Sequence, residues 1–324
     1  MTASICERIT GNRPWGITVG PVLYYWPRAR LMDFYAAIAD SAADTVVLGE
    51  VVCARRRDVR LDDWLALARE LEQAGKRVVL ATQALVETQA DLRLIERIGL
   101  ESGLPLEVGD VSALALLQGK APLVLGPHVN IYSRAALVEH AGLGAFRWVP
   151  PVELPLDAVA HINPPVDRVP GSGGQAIETE VWAFGRLPLS FSARCFTARH
   201  VGAPKDQCGY PCGEDPDGRL VSSSEGQPFL VLNGTQTQSA ALQCLLPHRR
   251  ALSAAGASRV RLSPQSTAFA EVVDDFDAVF NAGQAAEERL AQWPSRGILQ
   301  PLADGYAFGR AGMSWASLSG ERPL

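Results

Sequence analysis

The sequence predicts a (β/α) barrel-like fold, of the TIM-barrel type, with an irregular metal-binding insertion. Strand patterns and helix patterns alternate through the first half of the chain, which indicates βαβ units around a parallel sheet. Six such units follow one another without an internal break, and this number favours a closed barrel over an open sheet. A later stretch with neither period carries a group of cysteines.

The strands of the first half are short apolar runs rich in β-branched residues. The clearest is TVVLGEVVC (45–53), whose nearly continuous apolar pattern is typical of a strand buried on both faces. The predicted strands of these six units are residues 17–25, 45–53, 76–85, 104–110, 121–132 and 145–154.

Apolar residues recur at helical spacing between these strands. In the second unit, Asp62 and Asp63 place negative charge at the positive end of a helix, and Gly75 ends it. The predicted helices are residues 30–43, 62–75, a segment that ends near 99, and then 111–119, 133–142 and 155–162.

The second half is less regular. Residues 163–176 are rich in turn formers, residues 179–195 form a long β-rich run that is a bent strand or a hairpin, and 195–227 is irregular. The remaining predictions are a strand at 229–237, a helix at 240–256, the closing strand at 258–266 and a last full helix at 267–283. We therefore expect one barrel-like domain over 1–290, with the insertion at about 190–227, and a C-terminal tail over 291–324 packed on the barrel or on a partner.

Composition narrows the class of protein. The chain has 324 residues, of which 47% are apolar and 20% charged, as in a soluble globular protein. Its net charge of −5 implies no general attraction to nucleic acid or membranes. The N-terminus has no apolar signal region and no stretch is long enough to cross a membrane, so we expect a cytoplasmic protein. Six cysteines are too few for a disulfide scaffold of this size, and a reducing compartment favours metal binding.

Four cysteines are the strongest functional signal: Cys53, and the group Cys195-x12-Cys208-x3-Cys212. Three cysteines within eighteen residues of a stretch rich in glycine and basic residues point to metal ligation rather than core packing. Basic neighbours favour the thiolate form that binds metal, and arginines follow Cys53 in the same way. Cys6 and Cys244 are expected to be buried or incidental.

The spacing leaves the metal open. Structural zinc sites pair their thiolates as close knuckles, and only Cys208 and Cys212 are so paired. Scattered cysteines without a histidine partner fit a four-thiolate iron–sulfur cluster at least as well. His200 is an alternative ligand in place of one cysteine.

The stretches LGEVVC (48–53) and SARCFTAR…CGYPC resemble the collagenase-like peptidase family, and within it the branch active in ubiquinone biosynthesis. The resemblance implies a [4Fe–4S] cluster bound by Cys53, Cys195, Cys208 and Cys212. It also implies a heterodimer with a UbiU-like protein, a lipid-binding accessory protein, and a role in oxygen-independent ring hydroxylation.

The same resemblance leaves two other functions open. One is a peptidase or RNA-hydroxylation factor of this family, and the other is a non-catalytic scaffold stabilised by zinc. The sequence contains no G-x-S-x-G or H-E-x-x-H motif, and residues 171–176, which superficially fit a dinucleotide fingerprint, are expected to be a loop.

Polar residues at predicted strand ends suggest a pocket beside the cysteines, since function gathers at that end of a barrel. The candidates are Glu50, His128 and Arg147, with Asn130 as a further member. Each also has a structural interpretation, such as an ion pair of Glu50 with a neighbouring arginine. The functional hypothesis is that Arg55 or Arg147 binds a carboxylate-bearing small molecule there.

Overall fold

Eight parallel strands of the computed structural model close into a barrel; the structure describes residues 13–298 and 301–315. Strands β1 to β7 lie in chain order around the barrel, and β11 pairs in parallel with both β7 and β1. The strands of the described residues are β1 Gly16–Val19, β2 Thr45–Leu48, β3 Arg77–Ala81, β4 Leu106–Val108, β5 Leu123–Leu125, β6 Ala145–Trp148, β7 Glu178–Phe191, β8 Arg219–Ser222, β9 Pro228–Asn233, β10 Gln236–Cys244, β11 Arg259–Leu262 and β12 Leu302–Ala303. The predicted barrel-like fold is confirmed.

Helices follow the strands along the outside of the barrel, as the alternation predicts. Their buried residues recur at helical spacing; in the second helix these are Leu61, Trp64, Leu67, Ala68 and Leu71. The helices of the described residues are α1 Arg28–Ala39, α2 Leu61–Gln73, α3 Gln89–Glu101, α4 Val111–Leu117, α5 Arg134–Gly142, α6 Leu156–Ile162, α7 Phe196–His200, α8 Arg249–Ala254, α9 Phe269–Phe280 and α10 Ala286–Leu290. None of these helices combines the length and apolar character needed to cross a bilayer.

Strand β7 is part of both the barrel and a second, antiparallel sheet. Over its 14 residues, its first part pairs with β6 and β11 in the barrel, and its last part pairs antiparallel with β10. Strands β10, β9 and β8 continue as an antiparallel sheet above the barrel, and β12 pairs in parallel with β10. The long β-rich run is thus one continuous strand, and it carries the barrel directly into the cysteine region.

The barrel interior has a charged zone and an apolar zone. Arg261 on β11 reaches across the barrel to Glu107 on β4, and Glu180 on β7 accepts from Arg261 at 2.6 Å and from Thr18 on β1 at 2.9 Å. Apolar side chains fill the rest of the interior and its mouth. They are Leu23, Val47, Val51, Val52, Val79, Ala81, Val124, Val149, Trp182 and Leu187.

Several sequence predictions about the elements are wrong in part. The strands predicted over 17–25 and 45–53 end at Val19 and Leu48, so the residues after them form loops at the barrel mouth. Gly49 stops the second strand, because its φ of +119° departs from strand geometry and an added Cβ would lie 2.7 Å from the Ala81 carbonyl. Residues 195–227, expected to be irregular, contain α7 and β8.

The helix predicted over 240–256 begins only at Arg249, because residues 236–244 form β10. Residues 240–244 have a helical pattern locally, but pairing with β7 makes them a strand: Gln243 lies opposite Gly185 and Cys244 opposite Phe184. Cys244 is fully buried, in keeping with a packing role, and Cys6 lies outside the described residues.

Candidate cysteine centre

Three chain segments meet at the carboxyl end of the barrel and bring cysteines with them: the loop after β2, the start of α7 and the loop over 204–214. Cys53, Cys195, Cys208 and Cys212 are each half-buried with free thiols. The Cys195 thiol lies within electrostatic range of both Cys53 and Cys212. Cys208 is on the same loop as Cys212, after a 3-10 turn at Lys205–Gln207.

Glu50 shapes the loop that carries Cys53. One carboxylate oxygen, Oε1, accepts hydrogen bonds from the Val52 N–H at 2.9 Å and the Cys53 N–H at 3.0 Å. The same oxygen lies 3.6 Å from Arg56 Nη1. Burial raises the pKa of Glu50, and the Arg56 charge and the two N–H groups oppose that rise. Glu50 therefore holds the turn and balances the charge of Arg56.

Arg56 is the cation at the centre of the site. It is only 6% exposed, and its guanidinium donates to the Leu23 carbonyl at 2.8 Å and to Asn233 Oδ1 at 2.9 Å. It also interacts with the thiols of Cys53 and Cys212. Burial raises the pKa of both thiols, and the nearby Arg56 charge opposes that rise without cancelling it. A fixed guanidinium at this point favours the thiolate form of two cysteines at once.

The β9–β10 turn positions Cys195. Gly234 accepts from the Phe196 N–H at 2.8 Å through its carbonyl, and its own N–H donates to Thr197 Oγ1 at 2.9 Å. Thr235 next to it donates to the Val52 carbonyl at 2.7 Å. Cys195 is the N-cap of α7, and its sulfur accepts from the Ala198 N–H at 3.4 Å. One turn thus ties the Cys53 loop and the start of α7 together.

Tyr210 docks the loop that carries Cys208 and Cys212. Its hydroxyl donates to the Arg55 carbonyl at 2.7 Å, and its ring stacks on Tyr25 with centroids 4.9 Å apart. Asp206 adds an ion pair with Arg55. Tyr210 has a left-handed backbone with φ of +58°, which is uncommon for a bulky residue and points to tertiary contacts that hold the turn.

The donor chemistry of this site fits a thiolate-bound metal group. Backbone N–H groups of Arg55 and Ala198 point at the sulfurs of Cys53 and Cys195, and such hydrogen bonds stabilise thiolates and tune clusters. Arg56 compensates part of the negative charge that four thiolates would bring. Among the residues that the structure describes, no three His, Cys, Asp or Glu side chains converge on one point as ligands of a single ion.

The predicted pocket residues have different partners in the structure. Glu50 belongs to the cysteine centre. His128 lies against Phe191, with ring centroids 4.8 Å apart, and burial lowers its pKa to about 4. Arg147 is buried and donates to Glu178 at 2.8 Å and Glu180 at 3.1 Å, so its guanidinium is taken up by carboxylates of the protein. Asn130, φ +61°, follows the short turn that carries His128.

Sequence reasoning missed the residues that connect the cysteine segments, chiefly Asn233, Gly234 and Tyr210. An Asn-Gly pair between apolar runs is a strong hairpin signal, and the prediction of one strand over 229–237 passed over it. Nothing local distinguishes Tyr210, whose role depends on contacts with residues 25 and 55.

A shallow groove of about 540 Å³ opens beside Cys195. Its charged lining residues are Arg194, Arg199 and Lys205, and Lys205 pairs with Glu87. One thiol of the centre is therefore reachable from a basic surface.

A closed (β/α) barrel with a cysteine-bearing extension between its last two strands defines the class of protein. The family model described as peptidase family U32 matches residues 30–316, so the chain belongs to this collagenase-like family.

Solved structures similar to the chain share little of its sequence. The U32 peptidase Mk0906 is 10% identical, with a TM-score of 0.42, over 79% of this chain and 95% of that one. The spore cortex-lytic enzyme SleL of Bacillus megaterium is 12% identical, with a TM-score of 0.41, over 82% and 75%. HPPK-DHPS of Plasmodium falciparum is 11% identical, with a TM-score of 0.39, over 89% and 48%.

Proposed function

We propose that this protein is a UbiV-like iron–sulfur subunit that acts in oxygen-independent ubiquinone biosynthesis. In this proposal Cys53, Cys195, Cys208 and Cys212 hold a [4Fe–4S] cluster. The chain works as a heterodimer with a UbiU-like protein, together with a lipid-binding accessory protein, in hydroxylation of the quinone ring precursor.

One observation carries the proposal: cysteines more than 140 residues apart in sequence meet around one buried arginine. Arg56 interacts with Cys53 and Cys212, and the Cys195 thiol lies beside both. Cysteines that only fill a core need no fixed cation, whereas thiolate ligands do benefit from one. The basic groove beside Cys195 further supports exchange of electrons with an acidic partner.

When bound, the cluster would supply one-electron redox chemistry. The residues of this chain would bind it and set its potential through the Ala198 and Arg55 N–H groups and the charge of Arg56. A cluster that only holds the 195–227 segment in place is the alternative role.

Anaerobic purification with iron, sulfide and zinc analysis on one sample tests the cofactor. We expect a brown protein with about four irons and four sulfides per chain, as for a [4Fe–4S] cluster. The variants Cys53→Ser and Cys212→Ser should lose it, while the matched control Cys244→Ser should keep it. A colourless protein with one zinc would contradict the iron–sulfur proposal and favour a zinc-stabilised scaffold.

Quinone content of cells grown without oxygen tests the pathway. Cells that carry only Cys208→Ala should lack ubiquinone, and circular dichroism of the purified variant should show a retained fold if the cluster is redox-active. Loss of the fold would favour the structural role. Normal ubiquinone in these cells would contradict the assigned pathway, and activity on peptides or RNA would instead support another function within the family.

A further inference from the structure

A second cleft lies next to the cysteine centre, between α2 and α3. Its volume is about 470 Å³, within the range of small-molecule sites. Gly49 and Glu50 after β2, and Thr82 and Gln83 after β3, line its inner part. The cleft therefore opens at the carboxyl ends of two barrel strands, the end where barrels bind ligands.

Buried apolar side chains form much of the wall. Leu61 and Trp64 contribute from α2, and Ile95 and Ile98 from α3. Leu94 lies at the exposed edge, where it is 40% exposed. A ligand with an apolar body would cover this edge and bury surface against the tryptophan ring.

Two buried polar groups among the lining residues have unmet hydrogen bonds. Gln83 is 7% exposed, and its Oε1 accepts no hydrogen bond from any described residue. Arg56 Nε is likewise without an acceptor there. A buried polar atom left unpaired costs free energy, so a ligand that supplies a hydroxyl donor and an oxygen acceptor would be favoured.

The exposed edge of the cleft is basic. Arg57 and Arg60 line it, and neither side chain forms an ion pair within the part of the chain that the structure describes. Asp63 is the carboxylate near Arg60, where it accepts the Arg60 backbone N–H at 2.9 Å and pairs with Arg28. Arg97 is paired with Asp62 and Glu101. The acidic lining residue Asp91 is occupied by the N–H groups of residues 87 and 88 at the start of α3.

We propose that this cleft binds a small anionic amphiphile: an apolar body against Trp64 and Ile95, a hydroxyl group at Gln83, and an acidic group beside Arg57 and Arg60. Glu50 connects the two sites, because it lines the cleft and its carboxylate holds the Cys53 N–H. The assignment goes beyond the proposed function and holds whichever metal the cysteines bind.

Calorimetric titration with a hydroxyphenyl-hexanoate tests the site on the full-length protein. Two matched probes separate the contacts: the methoxyphenyl analogue lacks the hydroxyl donor, and the hydroxyphenyl-hexanol lacks the charge. Each should bind more weakly than the parent, by about fivefold to tenfold for a lost hydrogen bond. Gln83→Leu should weaken the parent but not the methoxyphenyl analogue, and Arg60→Gln should weaken the parent but not the hexanol.

Controls keep the test decisive. Leu94→Glu, at an exposed position, should repel the anion without a change in fold, whereas Arg69→Gln, elsewhere on α2, should bind like wild type. Cys208→Ser should also bind the parent probe normally, which separates this site from the proposed cluster. No binding of the parent, or equal binding by wild type, Gln83→Leu and Leu94→Glu, would overturn the assignment.

Discussion

Glu180 shows how the barrel interior tolerates charge. Its side chain is 0% exposed, and it accepts from Arg261 Nε at 2.6 Å and Arg147 Nη1 at 3.1 Å, with Arg259 Nε 3.6 Å away. Burial by itself raises the pKa of this carboxyl, but the three arginines lower it to about 2. A buried carboxylate is tolerated here because arginines held in fixed positions balance its charge. Removing the carboxylate or an arginine would leave a buried charge without a partner.

Glu180→Gln should therefore destabilise the protein by about 3–5 kcal/mol, because three buried guanidinium groups lose their shared counter-charge. Urea denaturation followed by circular dichroism gives the free energy of unfolding. The control Glu96→Gln, on the exposed face of α3, should stay within about 0.5 kcal/mol of wild type. Equal midpoints for wild type and Glu180→Gln would show that this network does not stabilise the fold.

In the cysteine centre, Arg56 is the buried charged residue whose partners depend on it, as the arginines of the barrel interior depend on Glu180. Arg56→Met keeps much of the stem but leaves Glu50 and the Leu23 carbonyl without the guanidinium. We expect a loss of about 3 kcal/mol or more, as for a broken buried pair, and a protein that retains little iron. Metal analysis and denaturation on the same sample check both effects. Arg57→Met, whose side chain is exposed, is the control and should change neither.

At the scale of elements, the β9–β10 hairpin holds two of the cysteine-bearing segments in place. Its turn touches the Cys53 loop through Thr235 and the start of α7 through Gly234. Gly234 has φ of +63°, and an added Cβ would lie 3.0 Å from Arg56 Nη2. The position needs glycine both for its backbone and for the space that the guanidinium occupies.

Gly234→Ala can be compared with Gly226→Ala. Both glycines have positive φ, but an added Cβ at Gly226 would meet nothing within 4 Å. Each alanine should cost about 1–2 kcal/mol of backbone strain, and Gly234→Ala about 1–3 kcal/mol more from crowding against Arg56. Thermal unfolding measures the difference. If the two variants lose the same stability, the close approach of Gly234 to Arg56 has no energetic consequence.

The elements were predictable where local patterns agree with tertiary structure. Each βα unit of the first half has its own apolar strand, followed by a helix with buried apolar residues at helical spacing, so the barrel could be predicted from periodicity. Strand β10 could not, because residues 240–244 are compatible with a helix and become a strand only by pairing with residues 184–186 of β7. Strand ends were placed too late for the same reason, since Gly49 stops β2 through a neighbour on β3.

The cysteines of the site were predictable from spacing, but their surroundings were not. Three consecutive arginines follow Cys53, and only the fold assigns their roles: Arg55 pairs with Asp206, Arg56 faces the thiols and Arg57 is exposed. Arg147 looked available at a strand end, yet its partners Glu178 and Glu180 lie more than 30 residues further along the chain. The ligand set and its cofactor remain predictions.

At the scale of the whole molecule, buried ionisable groups make stability depend on pH. The pKa of His128 falls from 6.5 to about 4 because burial disfavours its charged form. The unfolded chain then binds more protons, so this group's contribution is present above pH 6.5 and is lost as the pH falls toward 4. Glu180, with its pKa lowered from 4.5 to about 2, contributes above pH 4.5 and loses that contribution toward pH 2.

The contributions of His128 and Glu180 to the pH dependence of stability can be measured separately with single-residue variants. The stability difference between wild type and His128→Gln should shrink as the pH falls from 6.5 toward 4. Over that range His128 becomes protonated in the unfolded wild-type chain but not in the folded one, which lowers wild-type stability, whereas glutamine does not titrate. The difference between wild type and Glu180→Gln should stay constant over that upper range and shrink only below about pH 4.5. Melting temperatures measured across both ranges check this. A constant difference for His128→Gln would mean that this histidine titrates normally in the folded protein.

The position of β11 in the chain has a consequence for biosynthesis. Residues 192–258 separate β7 from β11, and the four cysteines of the candidate centre, Cys53, Cys195, Cys208 and Cys212, come before residue 213. Proteins emerge from the ribosome N-terminus first. Seven barrel strands and the complete cysteine set are therefore synthesised while the eighth strand is still missing, and the arginines and carboxylates of the interior face an open edge. A cofactor delivered during translation would meet these four cysteines before the barrel is able to close.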